Sequence, residues 1–118
     1  MHDLLKYFIN KISALRVLGI DEVVIDPGFG FAKTMEQNYQ LIERLSMFGI
    51  LERPVMVGIS RKSTLAKTIG RTVEETLEAT TALHMVALQQ GASILRVHDV
   101  RAAMDTIAVY NKLQLLQH

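Results

Sequence analysis

Three short apolar segments, each followed by polar residues, constrain the fold of this chain more than any other feature of its sequence. They are residues 22–26, 55–59 and 92–97. Continuous runs of valine and isoleucine are typical of strands that are buried on both faces of a parallel sheet. The polar residues begin at or next to Asp26, Ser60 and Arg96, roughly 35 residues apart, and one unit of a (β/α) barrel takes about 30 residues. The repeat therefore predicts parallel strands whose carboxyl ends share one rim.

Helical periodicity fills the intervals between these segments. Apolar residues recur at helical spacing over residues 3–18, 36–48, 64–69, 73–90 and 100–116. Thr72 and Glu75 have the spacing of a capping box, which predicts that a helix starts there. The helix over residues 73–90 is apolar nearly all round, so we expect it to be buried on more than one side. The predicted order is αβαβαβα.

Three parallel strands are too few for a closed barrel, which needs eight, and few for an open parallel sheet. The outer two strands would also present unpaired edges. We therefore expect an α/β fold in which residues 1–118 form a single, partial barrel domain. That domain would be part of a larger barrel or would complete itself with another chain, for example as a homo-oligomer.

The composition excludes several classes of function. The net charge is +1, which gives no electrostatic case for binding nucleic acid or an anionic membrane surface. The chain has no cysteine, so disulfides and thiolate metal sites are excluded. No apolar stretch reaches the roughly 18 residues of a membrane span, and the N-terminus lacks the layout of a signal peptide. We expect a cytoplasmic protein with neither a membrane nor a nucleic-acid partner.

The first rim segment is Asp26-Pro27-Gly28-Phe29-Gly30-Phe31-Ala32-Lys33. Asp26 is open to two interpretations, because Asp-Pro-Gly is ordinary turn chemistry and a carboxylate here can also accept hydrogen bonds from the N–H groups of a ligand. Phe29 and Phe31 either pack into the protein or form walls for a flat aromatic ligand. Lys33 alone indicates only a solvated cation.

The second rim segment is Ser60-Arg61-Lys62-Ser63. Two hydroxyls and two cations lead into a helix start, where free backbone amides favour anions. The alternative interpretation is a solvated basic turn with a serine cap. A nucleotide-binding phosphate loop is excluded, because the glycine-rich lead of that motif is missing.

The third rim segment places Arg96 and His98 two residues apart, on the same side of an extended chain. Arg96 can stack on a flat heterocycle or fork onto phosphate, and His98 can donate to phosphate. Asp99 either orients His98 or caps the last helix. No second ligand stands at a spacing that would let His98 hold a metal, and His84 is interpreted as a packed or interface histidine. Together the three segments suit a flat, nitrogen-rich heterocycle that carries a phosphoryl group.

In this order and spacing, the three segments resemble the C-terminal half of the dihydropteroate synthase family. The resemblance rests on Asp26-Pro27-Gly28-Phe29-Gly30-Phe31 with Lys33, on Gly58-Ile59-Ser60-Arg61-Lys62-Ser63, and on Arg96-Val97-His98-Asp99-Val100. It implies the C-terminal portion of a (β/α)8 TIM barrel, made of the last three βα units and the helix before them. It also implies condensation of 6-hydroxymethyl-7,8-dihydropterin pyrophosphate with p-aminobenzoate to 7,8-dihydropteroate and pyrophosphate, a step of folate biosynthesis that uses Mg²⁺ and is the target of sulfonamides.

The resemblance further implies roles for individual residues at the pterin end of the site. Asp26 would hydrogen-bond the pterin ring, Lys62 would bind the pterin carbonyl, and Arg96 would stack over the pterin. Arg96 and His98 would together hold the phosphates. Lys62, Arg96 and His98 are therefore the implied catalytic residues.

At the aminobenzoate end, the resemblance implies that Ser63 and the helix start behind it receive the carboxylate of p-aminobenzoate. Lys62 would line this pocket, Phe31 would be an apolar wall, and Arg61 would lie nearby. The implied ligands of Mg²⁺ lie mainly outside these residues, so we expect no metal ligand in this chain.

The N-terminal half of the family supplies an Asn that contacts phosphate and metal, two mobile loops and further pterin-binding residues, which these 118 residues lack. We therefore expect little or no synthase activity from the chain alone, and association with a second copy or with the missing half. Two alternatives are a pterin-binding methyltransferase domain and a non-catalytic half-barrel that serves as an assembly module. The Ser-Arg-Lys-Ser segment favours the synthase over the methyltransferase.

Overall fold

The computed structural model describes residues 2–30 and 34–117 of the chain. The α-helices in this part are His2–Val17 (α1), Met35–Glu43 (α2), Ser63–Ile69 (α3), Leu77–Gln89 (α4) and Val100–Leu116 (α5). Two 3-10 helices span Leu45–Leu51 and Val73–Glu75, and the strands are Met56–Val57 (β1) and Ile94–Leu95 (β2). The order confirms the predicted alternation of helices with the second and third apolar segments.

The three apolar segments lie side by side and run in parallel. β1 pairs with β2 so that Met56 is opposite Ile94. On its other side, the central segment makes one isolated parallel bridge, between Val55 and Ile25. The described residues therefore contain two strands and a bridge, and the prediction of a full first strand over residues 22–26 is not confirmed. Val24 is 48% exposed in a segment that no described strand covers on its outer side, which is consistent with a short edge.

The core lies where the strand segments meet the helices. Its most buried apolar side chains come from α2, the first 3-10 helix and the central strand: Ile42, Leu45, Phe48, Val57 and Ile59. α1 covers part of this cluster with its apolar face, on which Phe8 meets Phe48 edge to face with ring centroids 5.7 Å apart. Burial of such side chains, each worth about 1.5–3 kcal/mol, fixes the helices against the sheet.

Two helix predictions need correction at their ends. The helix predicted over residues 36–48 is α helical only to Glu43 and continues as the 3-10 helix Leu45–Leu51. The helix predicted over residues 73–90 begins as a 3-10 turn, because the Thr76 hydroxyl donates to the Val73 carbonyl at 2.7 Å and α4 starts only after it. The Glu75 carboxylate does accept the Thr72 N–H, as the predicted capping box requires.

α4 is buried on one face rather than all round. The buried side chains Thr80, His84, Ala87 and Leu88 share helical spacing, whereas Leu77 and Val86 are each 40% exposed. Large apolar side chains are also exposed at the ends of α1 and α5, among them Val17, Leu18, Leu115 and Leu116. In the part of the chain that the structure describes, no helix combines the length and the apolar character needed to cross a bilayer.

Candidate functional site

A cavity of about 300 Å³ opens where β1 and β2 end. It is lined by Gly58 and by residues 60–62 and 96–98. The cavity therefore unites the second and third rim segments, as the parallel arrangement predicts. Three of its lining side chains are cations, Arg61, Lys62 and Arg96, so the cavity is suited to an anionic ligand.

The backbone of Gly58 lies directly beneath the side chain of Arg96. A Cβ atom built on Gly58 would lie 2.7 Å from Nη2 of Arg96, closer than a Cβ atom comes to other atoms, and 3.1 Å from Nε. The Arg96 N–H donates to the Val57 carbonyl at 3.0 Å, which fixes the backbone from which this side chain extends. The absence of a side chain at Gly58 thus leaves room for the guanidinium of Arg96 at the strand end.

His98 is oriented by Ser60 and not by Asp99. Nδ1 of His98 lies 2.9 Å from the Ser60 Oγ, and the His98 backbone N–H donates to the same oxygen at 3.2 Å. Ser60 is only 4% exposed, so its buried hydroxyl connects the second rim segment to the third. Sequence reasoning placed Ser60 in the segment but did not assign it a role at the site.

Asp99 pairs with Arg61, which corrects both of its predicted roles. Nη2 of Arg61 donates to Oδ1 of Asp99 at 3.0 Å. This hydrogen bond, together with the charge of Asp99, raises the pKa of Arg61 above its ordinary value. Asp99 stands at the N-cap of α5, but its side chain makes no capping hydrogen bond. Arg61 itself has a φ of 55°, a left-handed conformation that only a small fraction of non-glycine residues adopt.

Lys62 and Ser63 stand at the start of α3, where the sequence predicted them. Lys62 is the N-cap residue and Ser63 the first helical residue. The aliphatic part of the Lys62 side chain passes over Gly30, since a Cβ atom on Gly30 would lie 3.2 Å from the Lys62 Cδ. Lys62 is therefore the side chain that brings the first rim segment next to the cavity.

Asp26 forms the local turn that one interpretation predicted. The Gly28 N–H donates to Oδ1 of Asp26 at 3.0 Å, and the Asp26 side chain is exposed. Phe29 is 2% exposed and meets Tyr39 edge to face, so the packing interpretation is correct for this phenylalanine. Phe31 and Lys33 lie outside the described residues.

Asn38, on α2, holds the loop after the first segment in place, and sequence reasoning did not single it out. Its Oδ1 accepts the Gly30 N–H at 2.8 Å, its Nδ2 donates to the Thr64 Oγ1 at 3.2 Å, and its side chain is 1% exposed. One buried amide thus connects the loop after the first segment to α3. The available signal was an asparagine on the core face of an amphipathic helix, three and four residues before Leu41 and Ile42.

His84 is a packed histidine on α4, as one of its two interpretations predicted. It is 2% exposed, and burial lowers the pKa of its imidazole. Its Nε2 has no hydrogen-bond partner within the described ranges 2–30 and 34–117. Those same residues contain no group of three or more His, Asp or Glu side chains that could hold a metal ion.

Parallel βα units with a cationic cavity at the strand ends place the chain with the α/β barrel proteins, which bind their ligands at that end of the barrel. The comparison with known families defines the class further, since residues 1–98 match the family described as pterin binding enzymes. The chain belongs to this family.

Curated relatives carry the name dihydropteroate synthase. The chain is 38% identical over 106 residues to the dihydropteroate synthase of Escherichia coli K12, covering 88% of this chain and 38% of that protein. It is 42% identical over 109 residues to a bifunctional dihydropteroate synthase/dihydropteroate reductase of Helicobacter pylori, covering 92% of this chain and 29% of that protein. The chain thus spans well under half the length of these relatives.

Solved structures agree with the fold. A dihydropteroate synthase from Yersinia pestis in complex with a sulfonamide drug superposes with a TM-score of 0.94 at 31% identity, covering 98% of this chain and 43% of that one. The enzyme from Xanthomonas albilineans with 4-aminobenzoic acid gives a TM-score of 0.90 at 37% identity, covering 96% of this chain and 44% of that one. Near-complete coverage of this chain confirms the family resemblance across all three rim segments.

Proposed function

We propose that this chain forms the C-terminal, pterin-binding part of a dihydropteroate synthase site. The reaction joins 6-hydroxymethyl-7,8-dihydropterin pyrophosphate to p-aminobenzoate and releases pyrophosphate. The observation that carries the proposal is the cavity in which Arg96, His98, Lys62 and Arg61 converge, in a chain of the pterin-binding family. A pyrophosphate leaving group carries several negative charges, and cationic donors that converge on one cavity can stabilise it.

The catalytic part of the proposal concerns the bond between the pterin methylene carbon and the pyrophosphate oxygen. As this bond breaks, the electron pair leaves with the oxygen, and the amine of p-aminobenzoate then attacks the methylene carbon. The new secondary amine loses one proton, which passes to solvent or to the released pyrophosphate. Arg96 and His98 hold the departing pyrophosphate, and Lys62 binds the pterin carbonyl. Donors placed where negative charge develops lower the barrier of such a step.

The substrate-binding part uses the remaining rim residues. Asp26 accepts hydrogen bonds from the pterin ring with its exposed carboxylate, and Arg96 stacks over that ring. Ser63 receives the carboxylate of p-aminobenzoate, with Arg61 nearby and Phe31 as an apolar wall. Support for this pocket comes from relatives of the same fold that were solved with 4-aminobenzoic acid and with a sulfonamide drug.

Further parts of the proposal concern what lies around the chain. The family resemblance implies Mg²⁺, and we propose that its protein ligands lie mainly in the further barrel units, because the described residues contain no group of three or more His, Asp or Glu side chains that could hold it. The curated relatives are more than twice as long, and we propose that turnover needs the rest of the rim, supplied by further barrel units or by an association of copies. The exposed apolar ends of α1 and α5 support such an association. We place the protein in the cytoplasm.

Calorimetry with 6-hydroxymethyl-7,8-dihydropterin pyrophosphate tests the proposal. We expect the chain to bind it, and we expect Arg96→Gln and Lys62→Gln each to weaken binding at least tenfold, about 1.4 kcal/mol. Lys112→Gln is the matched control, because Lys112 is an exposed lysine on α5 away from the cavity. Equal affinities for all three variants would contradict the assignment of the cavity.

A turnover assay tests the need for the remaining barrel. We expect no dihydropteroate from the chain alone, and product formation when a polypeptide carrying the other βα units of a relative is added. Normal rates from the isolated chain would show that the cavity is sufficient. Binding of a sulfonamide, but not of methyltetrahydrofolate, distinguishes the synthase from a pterin-binding methyltransferase.

A further inference from the structure

The Ser60 hydroxyl makes two contacts with one residue. Its oxygen lies 3.2 Å from the backbone nitrogen of His98 and 2.9 Å from Nδ1 of the same histidine. Ser60 is 4% exposed, and no other hydrogen-bond partner of its side chain is found among residues 2–30 and 34–117. Within these residues, the hydroxyl therefore contacts only His98, which restricts where its proton can lie.

The backbone N–H of His98 can only donate, so the Ser60 oxygen accepts in the first contact. The hydroxyl has one proton of its own, and a buried O–H needs an acceptor. If Nδ1 of His98 carried a proton, the oxygen would accept twice and its own O–H would point at nothing. If Nδ1 is unprotonated, the O–H donates to it and both groups are satisfied. The second arrangement is favoured, because it leaves no buried donor without a partner.

We propose that Ser60 is a positioning residue that holds the neutral imidazole of His98 in its Nε2–H form. The proton on Nδ1 is excluded by the hydroxyl, so the ring offers Nε2–H as its donor. Because His98 lines the cavity with Arg96, its Nε2–H can donate to a negatively charged oxygen, such as a phosphate oxygen. The binding of a phosphate oxygen by this tautomer rests on the proposed function, whereas the tautomer itself follows from the hydrogen bonds alone.

The effect on ligand choice follows from the chemistry of imidazole. A neutral histidine in the opposite form would turn a lone pair toward the ligand and would repel an anion. Ser60 thus lets the uncharged imidazole of His98 act as a donor. The positive charge comes from the neighbouring guanidinium of Arg96. Arg96 provides attraction and His98 adds a directed hydrogen bond.

Nitrogen-15 NMR of the chain labelled on histidine tests this proposal without any ligand or activity. At about pH 8.5 an ordinary imidazole is neutral, and protonated and unprotonated ring nitrogens have well-separated shifts. We expect His98 to show an unprotonated Nδ1 and a protonated Nε2 with no averaging. The exposed His2 provides the reference for an imidazole that exchanges between both tautomers. A protonated Nδ1 on His98, or shifts averaged like those of His2, would overturn the proposal.

Three variants separate this role from a merely structural one. Ser60→Ala should move the His98 shifts toward those of His2 and weaken binding of inorganic pyrophosphate on the order of fivefold. Ser60→Thr keeps a hydroxyl and should restore both, while Ser46→Ala removes an exposed hydroxyl and should change neither. Unchanged His98 shifts in folded Ser60→Ala would overturn the proposal. If Ser60→Ala does not fold, the tautomer of the unmodified chain still decides it.

The measurements also separate this proposal from the proposed function. A chain with the Nε2–H form that fails to bind the pterin pyrophosphate would refute the function and leave the role of Ser60 intact. A chain that binds the pterin pyrophosphate but shows averaged His98 shifts would refute the role of Ser60 and leave the proposed function intact.

Discussion

The loop at residues 26–30 is held in place through a helix, whereas the residues that follow β1 and β2 hold one another. We call residues 26–30 the loop half of the rim, and residues 58–63 with 96–99 the cationic half. The loop half depends on its own turn and on the buried amide of Asn38. The cationic half is joined by Ser60 with His98 and by Arg61 with Asp99, across neighbouring strand ends.

This difference indicates that the two halves should respond differently to mutation. Asn38 is 1% exposed, and removing its amide leaves buried partners unsatisfied, so damage to the loop half should appear first as lost stability. In the cationic half, the side chains of Arg61, Arg96 and His98 are exposed at the cavity, so damage to them should appear first as lost anion affinity. Four tests, taken from the largest expected effect to the smallest, probe this contrast and one position outside both halves.

Asn38→Leu should have the largest effect. It removes the acceptor of the Gly30 N–H and the donor to the Thr64 hydroxyl while filling a similar volume. We expect a loss of about 3 kcal/mol in the free energy of unfolding, measured by urea denaturation, because a buried unsatisfied group costs about 1–3 kcal/mol. Asn111→Leu, at an exposed position of α5, should change stability by no more than about 0.5 kcal/mol.

The same variant also tests whether the loop half and the cationic half are independent. If the halves are independent, the folded fraction of Asn38→Leu should bind inorganic pyrophosphate within about threefold of the unmodified chain, because the cationic half is untouched. A much larger loss of affinity would mean that Asn38, through Thr64 and α3, also positions the cationic half. A stability loss no greater than that of Asn111→Leu would remove the special role of Asn38.

Gly58→Ala should have the next largest effect, and it acts on the cationic half. The new Cβ would lie 2.7 Å from the Arg96 guanidinium, which must move away, while the backbone can keep its conformation. We expect pyrophosphate to bind about tenfold more weakly, or about 1.4 kcal/mol, with stability nearly unchanged. Gly49→Ala is the control, since a Cβ there meets no atom within 4 Å. Equal pyrophosphate affinities for the two variants would show that the position of Arg96 does not matter for the anion.

Much of the fold could be predicted from the sequence, because apolar periodicity reports which face of each element is buried. The helices over residues 3–18, 64–69 and 100–116 were predicted within one or two residues of α1, α3 and α5. The errors lie where local hydrogen bonds determine the end of a helix or where partners distant in sequence determine strand pairing. Thr76 interrupts one helix by donating to a carbonyl three residues earlier, and residues 22–26 form only a bridge because strand pairing depends on neighbours that the segment itself does not specify.

The candidate site was predicted in composition but not in its contacts. The three motifs identified Arg96, His98 and the residues around Lys62, because charged and hydroxyl side chains after buried strands are chemically conspicuous. Their partners could not be read from the sequence, since Ser60 and His98 are 38 residues apart. Asp99 shows the limit most clearly: both roles considered for it were local, and its actual partner Arg61 is equally distant in sequence.

His84→Leu provides a test away from both halves. Burial lowers the pKa of His84, so the unfolded chain takes up a proton near pH 6.5 that the folded chain does not yet accept. The unmodified chain should therefore lose stability as the pH falls below about 6.5, until the folded pKa is reached. We expect the stability of His84→Leu relative to the unmodified chain to increase between pH 7.5 and 5.5, by less than about 1.4 kcal/mol.

The readout is urea denaturation of both proteins at the two pH values. Pyrophosphate affinity at pH 7.5 should be the same for both, because α4 does not line the cavity. A stability difference that stays constant with pH would mean that His84 titrates alike in the folded and unfolded chains. A change in pyrophosphate affinity would show that α4 also helps to position the cationic half.

Asp99→Asn and Arg61→Gln should have the smallest effects, and of opposite sign. The Arg61–Asp99 pair is partly exposed, and such pairs contribute little to stability. Arg61 lines the cavity, however, so the Asp99 carboxylate that it binds should compete with an anionic ligand for its guanidinium. We therefore expect Asp99→Asn to tighten pyrophosphate binding about twofold and Arg61→Gln to weaken it about twofold, with both effects shrinking as salt screens the charges. Changes of the same sign in both variants would show that the pair acts as one structural unit, and the cationic half would then resemble the loop half more closely than its exposure suggests.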